Sequence, residues 1–492
     1  MLNAFSYLAL SLLAIPFVAS SIAFFLASKR ALEALSTAST SALVALYGAL
    51  LAMYPWRGSI EPVFSGVYVE GVKGAVISFA CDRFTLVLLG ISLVIGLLVV
   101  LYSRCYISPS NREHPITSGY SRYYGLMLLF IGSMVGVAMA NNLVTLLIFY
   151  ELTGICSCLL ISFYGTPKAA RAGFTAFIVT HVGSVALLAA TMLTYFYTHG
   201  FSYDAMASLR GGALSALGIL MLIAALAKSA QLPFYVWLPE AMVAPTTVSA
   251  YLHAAAMVKV GVFTFLRFCQ YVIARGNTSL LVAGLATVLS LATMFYGAFN
   301  YYRQRDLKRL LAWSTIVQLS VMMLALGLSL LQVSETLVCV SAYHMWNHSF
   351  AKALLFLTVG AIAYSLGRRD VDALKGLSRI PSLAPLAYLW IVGGLAISAV
   401  PPFGCFFSKI ALLLAGIRGS IPSMVSVVLA VLEGYLLTLP IFLKLGMKAF
   451  REQPSPSLGD AHRVPLSMLG VLIALAVASI ASGFLTPISI PW

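Results

Sequence analysis

Long apolar runs separated by short polar breaks dominate the chain. They occupy residues 3–27, 32–54, 84–102, 122–140, 142–164, 171–198, 213–243, 246–270, 278–300, 309–329, 336–366, 383–418, 421–443 and 464–487. A helix needs about 20 predominantly apolar residues to cross hydrocarbon, so the pattern predicts an all-α polytopic membrane protein of about fourteen spans. The seventh run is interrupted at Pro233 and again at Pro239 and Pro245, after which a helix holding His253 and Lys259 follows. Pro401 and Pro402 interrupt the twelfth run. Proline removes a backbone donor and clashes with the preceding turn, so both are predicted to be discontinuous helices. Interrupted helices at corresponding positions of two halves point to an internal repeat with its site at the breaks. Spans 4–8 (122–270) and 9–13 (278–448) then form two five-helix units. Five is odd, so the units enter the membrane from opposite sides as inverted copies, although no convincing residue identity links them. Three helices with their loops (1–121) precede them, and a last helix (464–492) follows.

Composition narrows the class. The chain is 61% hydrophobic and 9% charged, against about 25% charged in soluble domains, which excludes a soluble enzyme with a membrane tail. The opening stretch MLNAFSYLALSLLAIPFVASSIAFFLASKR has no basic region ahead of its apolar run, and reads as a retained span rather than a cleaved signal. The net charge of +15 contains no basic block longer than two residues, so no nucleic-acid partner is expected. The charge instead reflects loop placement. Loops after odd-numbered spans carry 19 Lys and Arg, and those after even-numbered spans carry 7. That bias predicts a cytoplasmic odd-loop face, with both termini extracytoplasmic. The seven cysteines form no CxxC, and Cys156 and Cys158 fall on different helix faces. No iron–sulfur, zinc or disulfide framework is expected. With no GxGxxG, Walker or haem-attachment motif, the chain is expected to hold no cofactor or metal and no redox or hydrolytic site.

Four lysines remain that the loop bias does not explain: Lys228, Lys259, Lys352 and Lys409, all within spans. An ionisable group inside hydrocarbon is costly and marks a functional site. Glu151 lies mid-helix in the fifth span and calls for a basic partner, for which Lys228, beside the first break, is the candidate. In the eleventh span His344, His348 and Lys352 stand at i, i+4 and i+8, about 6 Å apart on one helix face. Histidine titrates nearest neutral pH, so the stripe suits proton exchange. His181, Glu433 and Lys308 are accessory candidates: the first two are lone residues in spans, and Lys308 sits in the Asp306–Arg309 stretch that opens the tenth.

The segments YELTGICSCLLI, AKSAQLPFYVWLPEAMVAPTTVSAYLHAAAMVKVGVF, DLKRLLAWSTIVQLSVMMLALG, HMWNHSFAKALLFLTVGAI and PPFGCFFSKIALLLAG resemble the antiporter-like subunits of respiratory complex I. The same module occurs in Mrp-type multisubunit Na+/H+ antiporters and membrane-bound hydrogenases. The resemblance covers roughly residues 120–420 and implies fourteen helices in two inverted five-helix repeats, with the seventh and twelfth discontinuous. Carried over by motif, the key glutamate falls on Glu151 and the broken-helix lysine on Lys228. The eighth-helix pair falls on His253 and Lys259, the central group on His344, His348 and Lys352, and the terminal-channel lysine on Lys409. The combination of His253 with Lys259 looks closer to the large Mrp subunit. In the sixth span, THVGSVALL offers His181 and Ser184 where the largest complex I subunit would carry an acid.

The function this implies is proton translocation by an antiporter-like subunit of a complex-I-like respiratory oxidoreductase, driven by a partner redox module. The alternatives are a subunit of an Mrp-type Na+/H+ antiporter and a structural membrane subunit. Expected partners are other membrane subunits, the lipid bilayer, and H+ or Na+, in the plasma membrane of a bacterium or archaeon. Protons are expected to pass from Lys228 through Lys259 and His253 to His348 and Lys352, and to reach the outside by way of Lys409.

Overall fold

The computed structural model describes residues 4–55, 60–453 and 461–485. Arg57 and the outer ends of the first and last predicted spans lie outside them. In chain order the helices are α1 (Ala4–Phe25), α2 (Lys29–Met53), α3 (Arg83–Tyr106), α4 (Tyr120–Met139), α5 (Leu143–Ile161) and α6 (Pro167–Thr198). Then follow α7 (Tyr203–Ala207), α8 (Gly211–Lys228), α9 (Trp237–Glu240), α10 (Thr246–Ala254), α11 (Met257–Ala274), α12 (Leu280–Tyr301) and α13 (Leu307–Gln332). The last are α14 (Glu335–Leu366), α15 (Ala384–Ile397), α16 (Gly404–Ile417), α17 (Ile421–Glu433), α18 (Leu439–Arg451) and α19 (Leu466–Ala481). Every apolar run coincides with helix. Among the described residues twelve helices are long and apolar enough to cross a membrane, counting α10 with α11 and α17 with α18. A thirteenth arises if α15 is joined to the short turns before it, bent by 119°. α16 and α19 are shorter apolar helices.

Local chemistry sets the boundaries. Asn142, Thr166 and Asp306 cap α5, α6 and α13 through side-chain oxygens that accept the first free N–H groups. Pro167 then stands where a missing N–H costs nothing.

Three features depart from the sequence reading. Strands β1 (Glu61–Gly66) and β2 (Ile77–Cys81) form an antiparallel hairpin between α2 and α3. It packs on the even-loop face, where Asn142 donates to Ala75 and Val76 carbonyls at 3.0 Å each. The eighth span is not one helix: α10 ends at Ala254 and α11 starts at Met257, so His253 and Lys259 flank a break that no proline or glycine marks. The thirteenth span continues to Arg451 through a π-helical turn at Gly434–Thr438.

The two discontinuous spans break alike. After α8 the chain reads Ser229-Ala230-Gln231-Leu232-Pro233-Phe234, and after α15 Ser398-Ala399-Val400-Pro401-Pro402-Phe403. Ala230 and Ala399 both take left-handed φ, 51° and 60°. The N–H of Gln231 reaches the Leu226 carbonyl at 2.9 Å, and that of Val400 the Leu395 carbonyl at 3.1 Å. Each helix end thus closes on the same i to i−5 bond.

A buried ion pair ties the even-loop face together. Arg267 on α11 binds Asp82, which also caps α3 by accepting from Thr85 N at 2.8 Å and takes a bond from Gln270 at 2.9 Å. Burial alone would push the Asp82 carboxyl up, but the Arg267 guanidinium with these bonds outweighs it and holds the carboxyl at about 2. A depressed folded-state value means the stabilisation is complete above about pH 4 and is lost as pH falls towards 2. Removing one partner of a buried pair typically costs about 3–5 kcal/mol. Asp82→Asn is therefore expected to lower the thermal unfolding midpoint of the purified protein at pH 7, and to flatten its loss of stability below pH 4.

Candidate functional site

The candidate ionisable groups are buried, apart from the half-buried Glu151 and the exposed His181, and they connect differently from the expected pairs. Lys228, the last residue of α8, places its ammonium between the Tyr150 carbonyl at 2.6 Å and Thr153 Oγ1 at 2.7 Å on α5. It also lies 4.2 Å from the centre of the Tyr150 ring, a cation–π contact. A C-terminal lysine suits the negative end of a helix. The expected Glu151–Lys228 ion pair is not formed: Glu151 accepts instead from His181 Nδ1 at 2.9 Å. The physical reason is azimuth, since Lys228 meets α5 on the side of Tyr150 and Thr153 and Glu151 turns outward. His181, read as a lone residue, is the partner that sequence missed.

Lys352 repeats the Lys228 arrangement. Its ammonium lies 2.6 Å from Ser314 Oγ and 3.3 Å from the Leu311 carbonyl on α13. In each case the hydroxyl three residues on also bonds the same carbonyl, Thr153 to Tyr150 at 2.7 Å and Ser314 to Leu311 at 3.0 Å. Lys308, buried rather than at a helix-end surface, donates to the Ala244 carbonyl at 2.6 Å. Beside that contact opens a cavity of about 400 Å³ on the odd-loop face, lined by Lys168, Arg171, Glu240, Asp306, Arg309 and Arg369.

At the centre, Lys259 Nζ and His348 Nδ1 stand 2.6 Å apart, both fully buried. Two N–H groups facing one another would repel, so the contact requires a lone pair on one nitrogen and a single proton between them. His344, one turn earlier on α14, has its ring centre 6.3 Å from that of His348. Its Nδ1 contacts Ser408 Oγ at 2.8 Å and its Nε2 contacts Gln318 Oε1 at 3.1 Å. Ser408 precedes Lys409, which pairs with Glu433 at 3.4 Å. The second lone residue of the sequence reading, Glu433, thus also has a partner. His253 packs its ring 4.6 Å from that of Phe356, and among the described residues neither of its ring nitrogens has a hydrogen-bond partner. The predicted stripe of His344, His348 and Lys352 is on one helix, but its members face three different partners.

The residues stand in succession from Lys259 through His348, His344 and Ser408 to Lys409 and Glu433, in direct contact at Lys259–His348, His344–Ser408 and Lys409–Glu433. α11 crosses α8 at Gly261, two residues beyond Lys259 and against the backbone beside Lys228. A Cβ on Gly261 would overlap the Ala225 carbonyl and stand 2.7 Å from Ser229 N, both backbone atoms that cannot swing aside. Overpacking of this kind costs about 1–3 kcal/mol. Gly261→Ala is expected to lower the unfolding midpoint and to separate Lys228 from Lys259. Gly284→Ala, with nothing within 4 Å of its added carbon, is expected to be neutral in the same melting experiment.

A family model for the NADH:quinone oxidoreductase/Mrp antiporter transmembrane region matches residues 140–433. The Na(+)/H(+) antiporter subunit A1 of Staphylococcus aureus (strain JH9) is 37% identical over 331 residues, 64% of this chain and 40% of that protein. The chain therefore spans about two fifths of the length of that curated relative. Among solved structures, a chain of the Mrp complex from Dietzia sp. DQ12-45-1b superposes with a TM-score of 0.84 at 20% identity, covering 98% of this chain and 95% of the other. A chain of the membrane-bound sulfane sulfur reductase, an archaeal respiratory membrane complex, superposes at 0.80 with 21% identity, covering 96% and 94%. At these identities the two structures show a common fold.

Proposed function

The chain belongs to the NADH:quinone oxidoreductase/Mrp antiporter transmembrane family, and on that premise we propose that it is a proton-translocating antiporter-like subunit of a multisubunit complex in a bacterial or archaeal plasma membrane. The observation that carries this reading is the 2.6 Å contact between Lys259 and His348 in a fully buried interior. Two bases that share one proton can hand it on with no ion leaving its place. Lys228, His253, His344, Lys352 and Lys409 supply further stations, and internal water would bridge polar atoms such as the His253 nitrogens. Glu433 ends the series beside Lys409, and the Glu151–His181 pair and Lys308 are accessory groups outside it.

The repeated Ser-Ala-x-x-Pro-Phe breaks support the division into inverted five-helix units at 122–270 and 278–448, flanked by 1–121 and 464–492. The loop charge bias supports a cytoplasmic odd-loop face with both termini outside.

Two driving forces fit this chemistry: a partner redox module, or exchange against Na+. The name of the curated relative, a Na+/H+ antiporter subunit, favours the second. Purifying the chain with its native partners separates them, since hydrophilic iron–sulfur subunits imply the first and membrane-only subunits the second. Vesicles carrying that complex are expected to acidify or alkalinise when electron donor or a Na+ gradient is supplied. Vesicles that hold the complex and move no protons under either drive would refute the reading.

A further inference from the structure

We propose that Lys409 communicates with the odd-loop face through Glu433, Tyr301 and Thr438, with the Tyr301 hydroxyl as the positioning and proton-passing group, rather than leading to the opposite side. The inference rests on the proton-translocating reading above and concerns which face this lysine serves.

Lys409 lies on α16, beyond the second break, but its ammonium points back towards that break. A Cβ on Gly434 would stand 2.5 Å from Lys409 Nζ and 3.5 Å from the Ser398 carbonyl. Gly434 therefore leaves room for the ammonium beside Ser398, the first residue after α15. There Lys409 pairs with Glu433 Oε2 at 3.4 Å. The other carboxylate oxygen accepts from Tyr301 at 3.1 Å and from Thr438. The two hydroxyls are themselves 2.7 Å apart. The π-helical turn at Gly434–Thr438 widens α17–α18 by one residue here and brings Thr438 round to the carboxylate.

What lies on either side of this cluster is unequal. Towards the odd-loop face, Tyr302 follows Tyr301, and Ile441 stands one turn beyond Thr438. Both line a cavity of about 550 Å³ that Arg305, Lys444 and Lys448 also border. Towards the even-loop face, α16 continues from Lys409 as IALLLAGI, and α17 reaches Glu433 through IPSMVSVVLAVL. Neither stretch holds an ionisable side chain. A proton arriving from the cavity would be accepted at the Tyr301 oxygen as the Tyr301 hydroxyl proton passes to Glu433 Oε1. The protonated Glu433 carboxyl would then turn so that its O–H meets a neutral Lys409 amine and release that same proton to it, restoring the carboxylate, and the reverse order returns it. Each transfer breaks one O–H and forms one O–H or N–H bond.

The test uses the assembled complex in vesicles of both orientations. Tyr301→Phe keeps the ring stacked on Tyr302 and removes only the hydroxyl. It is expected to slow proton translocation by about 100-fold, the low end for loss of a positioned proton-transfer group. Glu433→Gln is expected to behave likewise. In Ile441→Cys, a membrane-impermeant cationic thiol reagent is expected to stop translocation when added at the odd-loop face and to have no effect from the other face. The same reagent on the unsubstituted complex controls for native cysteines. If Tyr301→Phe fails to assemble, the cysteine experiment carries the test alone. Translocation at the unsubstituted rate in both Tyr301→Phe and Glu433→Gln overturns the inference. So does complete labelling of Ile441→Cys from the odd-loop face without loss of rate, or a block obtained only from the even-loop face. If the unsubstituted complex moves no protons, it is the underlying proton-translocating reading that fails.

Discussion

Replacing Lys352 by arginine is expected to abolish proton translocation as completely as replacing it by methionine, although arginine keeps the positive charge. Lys352 sits with its ammonium on Ser314 Oγ and the Leu311 carbonyl, fully buried between α13 and α14. If it served only as a fixed charge, arginine would do as well, since the guanidinium stays protonated and has donors for both oxygens. A relay station must instead alternate between charged and neutral forms, which arginine cannot do. Methionine has similar bulk and lacks the titrating group. Both variants are expected to assemble, judged by co-purification of partner subunits, and to lose translocation by about 100-fold or more, judged by dye quenching in vesicles. Normal quenching by the arginine variant would make Lys352 a fixed charge.

Lys259→Met is expected to have an equal or larger effect, because it interrupts the direct contact between two fully buried bases. Lys259 and His348 are both fully buried, and among the described residues no carboxylate pairs with either of them. Methionine would leave His348 Nδ1 without its partner and put a thioether, a weak acceptor with no proton to give, in the gap. The remaining stations would still be present on both sides, so translocation in vesicles should fall by about 100-fold or more while the complex stays intact. His348→Gln should follow it, since glutamine can hydrogen bond to Lys259 but cannot titrate. If His348→Gln retained full activity, His348 would be a structural partner of Lys259.

The membrane class, the span positions and the two breaks were legible because a bilayer imposes a helix length and proline interrupts it visibly. The groups to be buried were legible too, since a lysine in an apolar run stands out. Their partners were not. Whether Lys228 meets Glu151 or the Tyr150 carbonyl depends on helix rotation and crossing, which one-dimensional spacing does not carry, so spacing alone pairs Glu151 with Lys228 and misses His181. His344, His348 and Lys352 share a helix face in spacing, yet each meets a different neighbour because α11, α13 and α16 converge on α14. The break between α10 and α11 falls at Ala255 and Ala256, residues with good helix propensity, so tertiary packing overrides the local signal there. The Ser-Ala-x-x-Pro-Phe repeat lies in the sequence but is too short to stand out without the two helix ends that close on the same bonds. The hairpin at 61–81 did carry a signal: Gly71 and Gly74 at positive φ mark the turn region between two strands.

The central claim, that protons cross through the buried Lys259–His348 contact, is tested most directly by the initial proton flux in liposomes holding the purified complex once the drive it responds to, electron donor or a Na+ gradient, is supplied. A relay predicts saturable flux with the unsubstituted chain and only the leak of empty liposomes with Lys259→Met at equal protein content. Equal flux in the two would contradict it.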